Sequence, residues 1–172
     1  EEYMREELAN WLSAHGVPPA LTIFLFAMTP IFELRGSIPV AKFVFNLPFI
    51  QTYFLSVLGN IVPAILLLLF LEPVSKFLRI HSVTADRFFD WLFARTRLRT
   101  EEKIQKYGAF GLILFVAIPL PVTGAWTGSV AGFLFGIRFR YAFPAVVAGV
   151  LIAGIVVSIL TYGTSTVLNL IF

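Results

Sequence analysis

Residues Pro18–Ile50 read PPALTIFLFAMTPIFELRGSIPVAKFVFNLPFI, and this stretch decides the fold. An apolar run, Pro18–Phe32, meets the polar break ELRGSIP, and a second short run, Val40–Ile50, follows. Each arm is about 10–15 residues, roughly 15–22 Å as helix. That is half to two-thirds of a ~30 Å hydrocarbon core. Two half-length helices around a Gly/Pro break predict a re-entrant hairpin, because a broken backbone is tolerated at membrane depth only where it is buried in protein or lines a cavity. The alternative is a complete tilted span over Pro18–Gly36, which would move the N-terminus to the other side of the membrane.

The same shape recurs further along. Gly108–Ile118 is apolar, PLPVTGAWTG breaks it, and Ser129–Ile137 is apolar again. Two segments, Tyr53–Leu71 and Tyr141–Tyr162, each hold the ~20 apolar residues a spanning helix needs. The chain is 58% hydrophobic and 13% charged, with a mean hydropathy of +0.87, against about 25% charged residues in soluble domains. Placement says more than the total. Residues 8–71 carry only Glu33, Arg35 and Lys42, and residues 108–172 carry only Arg138 and Arg140. The expected fold class is an all-α polytopic membrane protein forming a single membrane domain over 1–172.

With an offset of 90, Val40, Ala41, Phe43, Phe45, Phe49, Val57 and Gly59 fall on Val130, Ala131, Phe133, Phe135, Phe139, Val147 and Gly149. This predicts an internal duplication: repeat one over about 17–71, an interfacial linker over 72–107 and repeat two over 108–162. A hairpin returns to the side it entered and the span after it crosses once, so each repeat reverses direction. The second copy is then inverted, as in many secondary transporters. The linker side holds Lys76, Arg79, Arg87, Arg95, Arg97, Arg99, Lys103, Lys106, Arg138 and Arg140, whereas the terminal side offers Arg5. The positive-inside rule puts the linker in the cytoplasm and both termini outside the plasma membrane. Tyr53, Tyr162 and Trp11 are expected at one interface and Tyr107 and Tyr141 at the other. The acidic start, EEYMREE, does not read as the basic n-region of a cleaved leader. In the linker, Thr84 is expected to cap an amphipathic helix. Phe88, Phe89, Leu92 and Phe93 form its apolar stripe, opposite Arg87 and Arg95.

Charges in apolar segments cost about 2.5–3.5 kcal/mol each and mark function by default, so Glu33 and Arg35 stand first. Gly36 or Ser37 is expected to cap the returning half-helix, with Pro39 in its first turn. That helix end, beside Arg35, would suit phosphate or carboxylate. Glu33 is then either the counter-ion of Arg35 or a proton carrier competing with the anion, and a salt bridge locking the tip is the structural alternative. Lys42 either snorkels or adds to the field at Arg35. In the second hairpin, Thr123 and Thr127 either donate to an anion or cap their helix, and Trp126 lines or plugs a path beside Gly124. Glycines 124, 128, 132 and 136 form a smooth stripe expected to pack on hairpin one or on the following span. Asn60, ahead of Pro63, is a cavity-lining candidate or bonds a neighbouring helix. Ala145, Gly149 and Ala153 form a small-residue ridge that suits internal packing or a homodimer.

The segments PIFELRGSIPVA and IPLPVTGAWTGSVAGF resemble the small multidrug export protein family over nearly the whole chain. Ile118-Pro119, Thr123, Ala131-Gly132 and Arg138–Tyr141 are also similar to the DedA superfamily. That resemblance implies two re-entrant hairpins in inverted repeats, transport of polyprenyl phosphates or phospholipids with proton dependence, and a functional acid at Glu33. It departs where DedA proteins carry arginines, at positions held here by Val116 and Val122.

Several classes are excluded. With no cysteine and with His15 and His81 far apart, neither a metal site nor a cofactor is expected. One buried carboxylate without His or Cys does not make a hydrolase, so no enzyme is expected. The +3 net charge sits beside membrane segments and does not indicate nucleic acid. The readings left are a flippase for an anionic lipid, an exporter of organic cations or other hydrophobic small molecules using Glu33 and an aromatic cage, and a non-transporting scaffold. Membrane lipids are the expected surroundings in each.

Overall fold

The computed structural model describes residues 18–84, 86, 87, 89, 90, 102–120 and 123–171, with side chains described from residue 106 in the fourth helix and up to residue 164 in the last. Among the described residues the main helices follow in order: α1 (Pro19–Met28), α2 (Glu33–Phe43), α3 (Phe49–His81), α4 (Glu102–Ala117), α5 (Ala125–Leu134) and α6 (Phe139–Ile171). There is no strand among the described residues.

The break in the first stretch is short and sits earlier than the sequence predicts. Helix α1 stops at Met28, where the Thr29 hydroxyl donates to the Phe26 carbonyl at 2.8 Å. Thr29–Phe32 then turn the chain, and α1 and α2 pack on each other. Because helix resumes at Glu33, a single span over Pro18–Gly36 is not what forms. ELRGSIP lies inside α2, so Gly36 and Ser37 are not its caps and Pro39 is interior rather than in the first turn. The left-handed backbone needed to re-enter helix is taken by Glu33, at φ 47°, and not by a glycine. Gly36 serves the turn through space: a Cβ there would lie 2.8 Å from the Phe32 Cβ, and Phe32 in turn stacks on Phe26 with ring centroids 4.0 Å apart.

The second pair, α4 and α5, also packs together, and α5 starts at Ala125, four residues before the expected arm. Its glycine face packs on its own partner helix: a Cβ on Gly128 would meet Val116 at 2.4 Å, and one on Gly132 would meet Leu112 at 3.3 Å and Ala142 at 3.5 Å. The expectation of the following span is met at Ala142, and the main neighbour, α4, was not anticipated. Gly136 instead turns the chain at φ 65°.

Helices α3 and α6 are long and apolar enough to cross a membrane. Each has 33 residues, about 50 Å, so both outrun the predicted spans. Residues 72–81, the start of the expected linker, continue α3, and the end of that linker belongs to α4. Of the expected linker helix, residues 83, 84, 86, 87, 89 and 90 are helical. Thr84 is not its cap, because the Asp86 amide already bonds the Ser82 carbonyl and Thr84 lies within the helical turn. Arg79 holds the segment to the end of α3 through Asp86, at 2.8 Å, and Asp90. Phe88, Leu92, Phe93, Arg95 and the expected Trp11 anchor lie outside the described residues.

The spacing of 90 recurs in the coordinates. Helix α6 begins and ends 90 residues after α3, and the positive-φ turn residues Asn46 and Gly136 are 90 apart. Gly59 and Gly149 play matching parts as well. A Cβ on Gly59 would lie 2.4 Å from the Phe24 carbonyl oxygen of α1, and one on Gly149 would lie 2.5 Å from Val116 and 3.0 Å from the Ile113 carbonyl of α4.

The described residues form two compact units. The first takes Glu1–Val62 with Val150–Phe172, and so contains α1, α2, the start of α3 and the end of α6. Within it α3 and α6 run in opposite directions: Tyr162 bonds Thr52 at 2.8 Å, while Gly154 sits against Tyr53 and Val57. The second takes Pro63–Gly149. Ala145, Gly149 and Ala153 are all buried, so that ridge packs internally. Outward positions on α3 and α6 are large and apolar, as Phe54, Leu58, Leu66, Ile155 and Ile159 show.

Candidate functional site

The interior of the first unit is partly polar. Glu33, Ser37, Thr52, Ser56, Asn60, Ser158 and Thr161 are buried there, whereas the second unit buries Ser75 and Ser129, both bonded to carbonyls of their own helix. An apolar core would cost nothing in desolvation, so a buried carboxylate among six buried hydroxyl and amide groups needs a reason.

Helical spacing organises these groups. On α2, Glu33 and Ser37 are one turn apart on one face. On α3, Thr52, Ser56 and Asn60 repeat at i, i+4 and i+8. The Ser37 and Ser56 hydroxyls hydrogen-bond at 2.7 Å, joining the two faces. At the other end the Tyr162 hydroxyl lies 2.8 Å from the Thr52 Oγ1 and 2.7 Å from the Leu47 carbonyl.

Glu33 is only 6% exposed and sits in the first turn of α2. It therefore stands at the positive end of the helix dipole. The left-handed φ adds strain of order 1–2 kcal/mol for a non-glycine residue. Arg35, half-buried, interacts electrostatically with Glu33 and is the more open of the two. Gly36, Ser37 and Pro39 follow on the same helix.

Asn60 is fully buried, and neither its amide nitrogen nor its amide oxygen has a hydrogen-bond partner among the described residues. The Ser158 hydroxyl is in the same state. Three residues after Asn60 stands Pro63, within α3, which has no N–H to offer the Gly59 carbonyl.

The remaining candidates belong to the second unit. The Thr123 hydroxyl lies within reach of the Ile118 and Leu120 carbonyls, at 2.8 and 3.0 Å, and accepts from the Leu120 amide at 3.3 Å. It ties off its own loop. The Thr127 hydroxyl is 3.4 Å from the Gly124 carbonyl, Gly124 is buried and Trp126 is half-buried. Lys42 is on α2 with Arg35. It lies two turns further on, 3.3 Å from the Asn46 amide oxygen and over the Tyr162 ring. No group of three or more metal-ligating side chains occurs among the described residues.

The sequence singles out Glu33, Ser37 and Asn60 but misses Thr52, Ser56, Ser158 and Thr161. The signal was present: Thr52, Ser56 and Asn60 keep one helical face polar through an otherwise apolar span.

A family model described as "Putative small multi-drug export protein" matches residues 33–156, from Glu33 into α6. The chain belongs to this family. With the two long apolar helices, membership makes it a membrane protein of an export family. Comparison with curated proteins and with solved structures gives no match.

Proposed function

We propose that the protein is a multi-pass transporter of the plasma membrane that moves an anionic lipid, such as a polyprenyl phosphate, with Glu33 carrying a proton. The observation that carries this reading is the difference in exposure between two charges that stand two residues apart on α2. Glu33 is shut inside the first unit and Arg35 is half-open, so the charge a large substrate can reach is the cation. A guanidinium beside a helix N-terminus binds phosphate well. Protonation of Glu33 would free Arg35 to take the anion, and release would return the pair to its resting state.

The helix pairs α1–α2 and α4–α5 are read as re-entrant hairpins and the two halves as inverted repeats, in line with the DedA-like pattern. The 90-residue spacing and the opposed directions of α3 and α6 support this. The basic residues between α3 and α4 favour a cytoplasmic linker with the termini outside. Gly36, Ser37 and Pro39 of α2 and Asn60 of α3 would shape the site in the first unit; Thr123, Gly124, Trp126 and Thr127 are candidate substrate contacts of the second unit, taken by itself. Neither catalysis nor a cofactor is part of the proposal.

The family's description favours a second reading, export of lipophilic cations paired with Glu33. Thermal unfolding of the detergent-purified protein separates the two. A ligand at 100 times its Kd adds about 2.7 kcal/mol to the folded state. Stabilisation by polyprenyl phosphate that disappears in Arg35→Ala is expected. Stabilisation by a lipophilic cation that disappears in Glu33→Gln, with no effect of the phosphate, would replace the lipid reading with the exporter.

A further inference from the structure

The orphaned amide of Asn60 stands at a definite level in the first unit. Helices α2 and α3 are joined by a five-residue turn, 44–48, and Ser37 meets Ser56 from positions nearly equidistant from it. Tyr162 contacts Lys42 near the end of α2 and Thr52 near the start of α3. The two helices therefore run in opposite directions from the turn. One turn beyond the Ser37–Ser56 contact, α2 reaches Glu33 and α3 reaches Asn60. One turn in the other direction lies Thr52, bonded to Tyr162.

We propose that Asn60 and the Ser37–Ser56 pair form a buried water-binding site through which Glu33 exchanges its proton with the Thr52–Tyr162 end of the unit. The inference rests on Glu33 being the proton carrier proposed above. The amide has both a donor and an acceptor unfilled at zero exposure, and water satisfies both kinds of group where a metal cation would satisfy only the oxygen. The Gly59 carbonyl, denied its helical donor by Pro63, adds an acceptor on the same turn. From there the hydroxyls continue downward: Ser56 and Ser37 in contact, Thr52 one turn on, and Tyr162 beyond it under the Lys42 ammonium. Each hydroxyl takes a proton on one lone pair and releases its own from the other side, so no hydroxyl changes its charge state. The net change is one proton from bulk water to the Glu33 carboxylate.

The surroundings keep the path specific to Glu33. Helix α1, residues 49–62 of α3 and residues 150–164 of α6 carry no ionisable side chain except Tyr53 and Tyr162, and α2 adds only Arg35 and Lys42.

Infrared difference spectroscopy after a pH jump, on the full chain in lipid vesicles, tests the proposal. The protonated-carboxyl band that disappears in Glu33→Gln reports Glu33. Its rise should slow about tenfold or more in Asn60→Leu and in Ser56→Ala, and Asn60→Ser, which keeps a polar group for water, should recover most of the rate. An unchanged rate in a folded Asn60→Leu or Ser56→Ala protein would overturn the path and leave the proton role of Glu33 standing. If Glu33→Gln removes no band, the proton role itself fails, and this inference with it.

Discussion

At the scale of the residue, single atoms decide what is tolerated. Gly59 and Gly111 are both helical glycines, yet their surroundings are opposite. A Cβ on Gly59 would press 2.4 Å from a backbone oxygen of α1, while nothing lies within 4 Å of one on Gly111. Gly59→Ala should therefore cost about 1–3 kcal/mol, as over-packing does. Gly111→Ala should stabilise the protein by about 0.5–1 kcal/mol, the helical penalty of glycine. Thermal melts of the two variants check this, and a Gly59→Ala protein as stable as the parent would contradict the close approach. Glu33 shows the reverse: the chain accepts a strained backbone at a residue whose carboxylate is buried.

At the scale of the element, the first helix pair is fastened to α3 by polar contacts within an apolar setting. The Ser37–Ser56 bond is buried, so deleting one hydroxyl leaves the other unsatisfied, at a cost of about 1–3 kcal/mol. Ser37→Ala and Ser56→Ala should each show that loss. The double variant should lose clearly less than their sum, because no orphan remains. Unfolding titrations of the four proteins give the coupling, and strict additivity would show that the contact contributes nothing. The second pair packs through small residues. Its glycines let α4 and α5 approach closely, and Thr123 closes the loop between them on itself.

At the scale of the whole molecule, the absence of cysteine makes topology directly testable. Single cysteines at Pro18, Gln51 and Ser82, all exposed, can be probed in cells with a membrane-impermeant maleimide. If α1 and α2 form a re-entrant hairpin, Pro18→Cys and Gln51→Cys react from outside and Ser82→Cys reacts only after the cytoplasmic face is opened. Labelling of Pro18→Cys and Gln51→Cys from opposite faces would mean that the first pair crosses the membrane.

The class of protein was legible from hydropathy and from where the charges fall, because a bilayer imposes lengths and forbids stray charge. The 90-residue spacing was legible too, from seven identities at one offset, and it recurs in the bounds of α3 and α6. Glu33 and Arg35 stood out for the same reason: few charges survive in apolar segments without a role. The boundaries were harder to read. Pro and Gly in ELRGSIP look like a helix break, but the turn formed four residues earlier, where Phe32 could stack on Phe26 and Gly36 could make room for it. Which face of α3 is polar is written in the order of Thr52, Ser56 and Asn60. What those residues meet is not, because Ser37 and Tyr162 come from 19 and 110 positions away. Only the tertiary structure closes the Glu33 carboxylate in, leaves Arg35 half-open and strands the Asn60 amide. Sequence fixes the period of a helix, whereas burial depends on the neighbour that packing brings to each face.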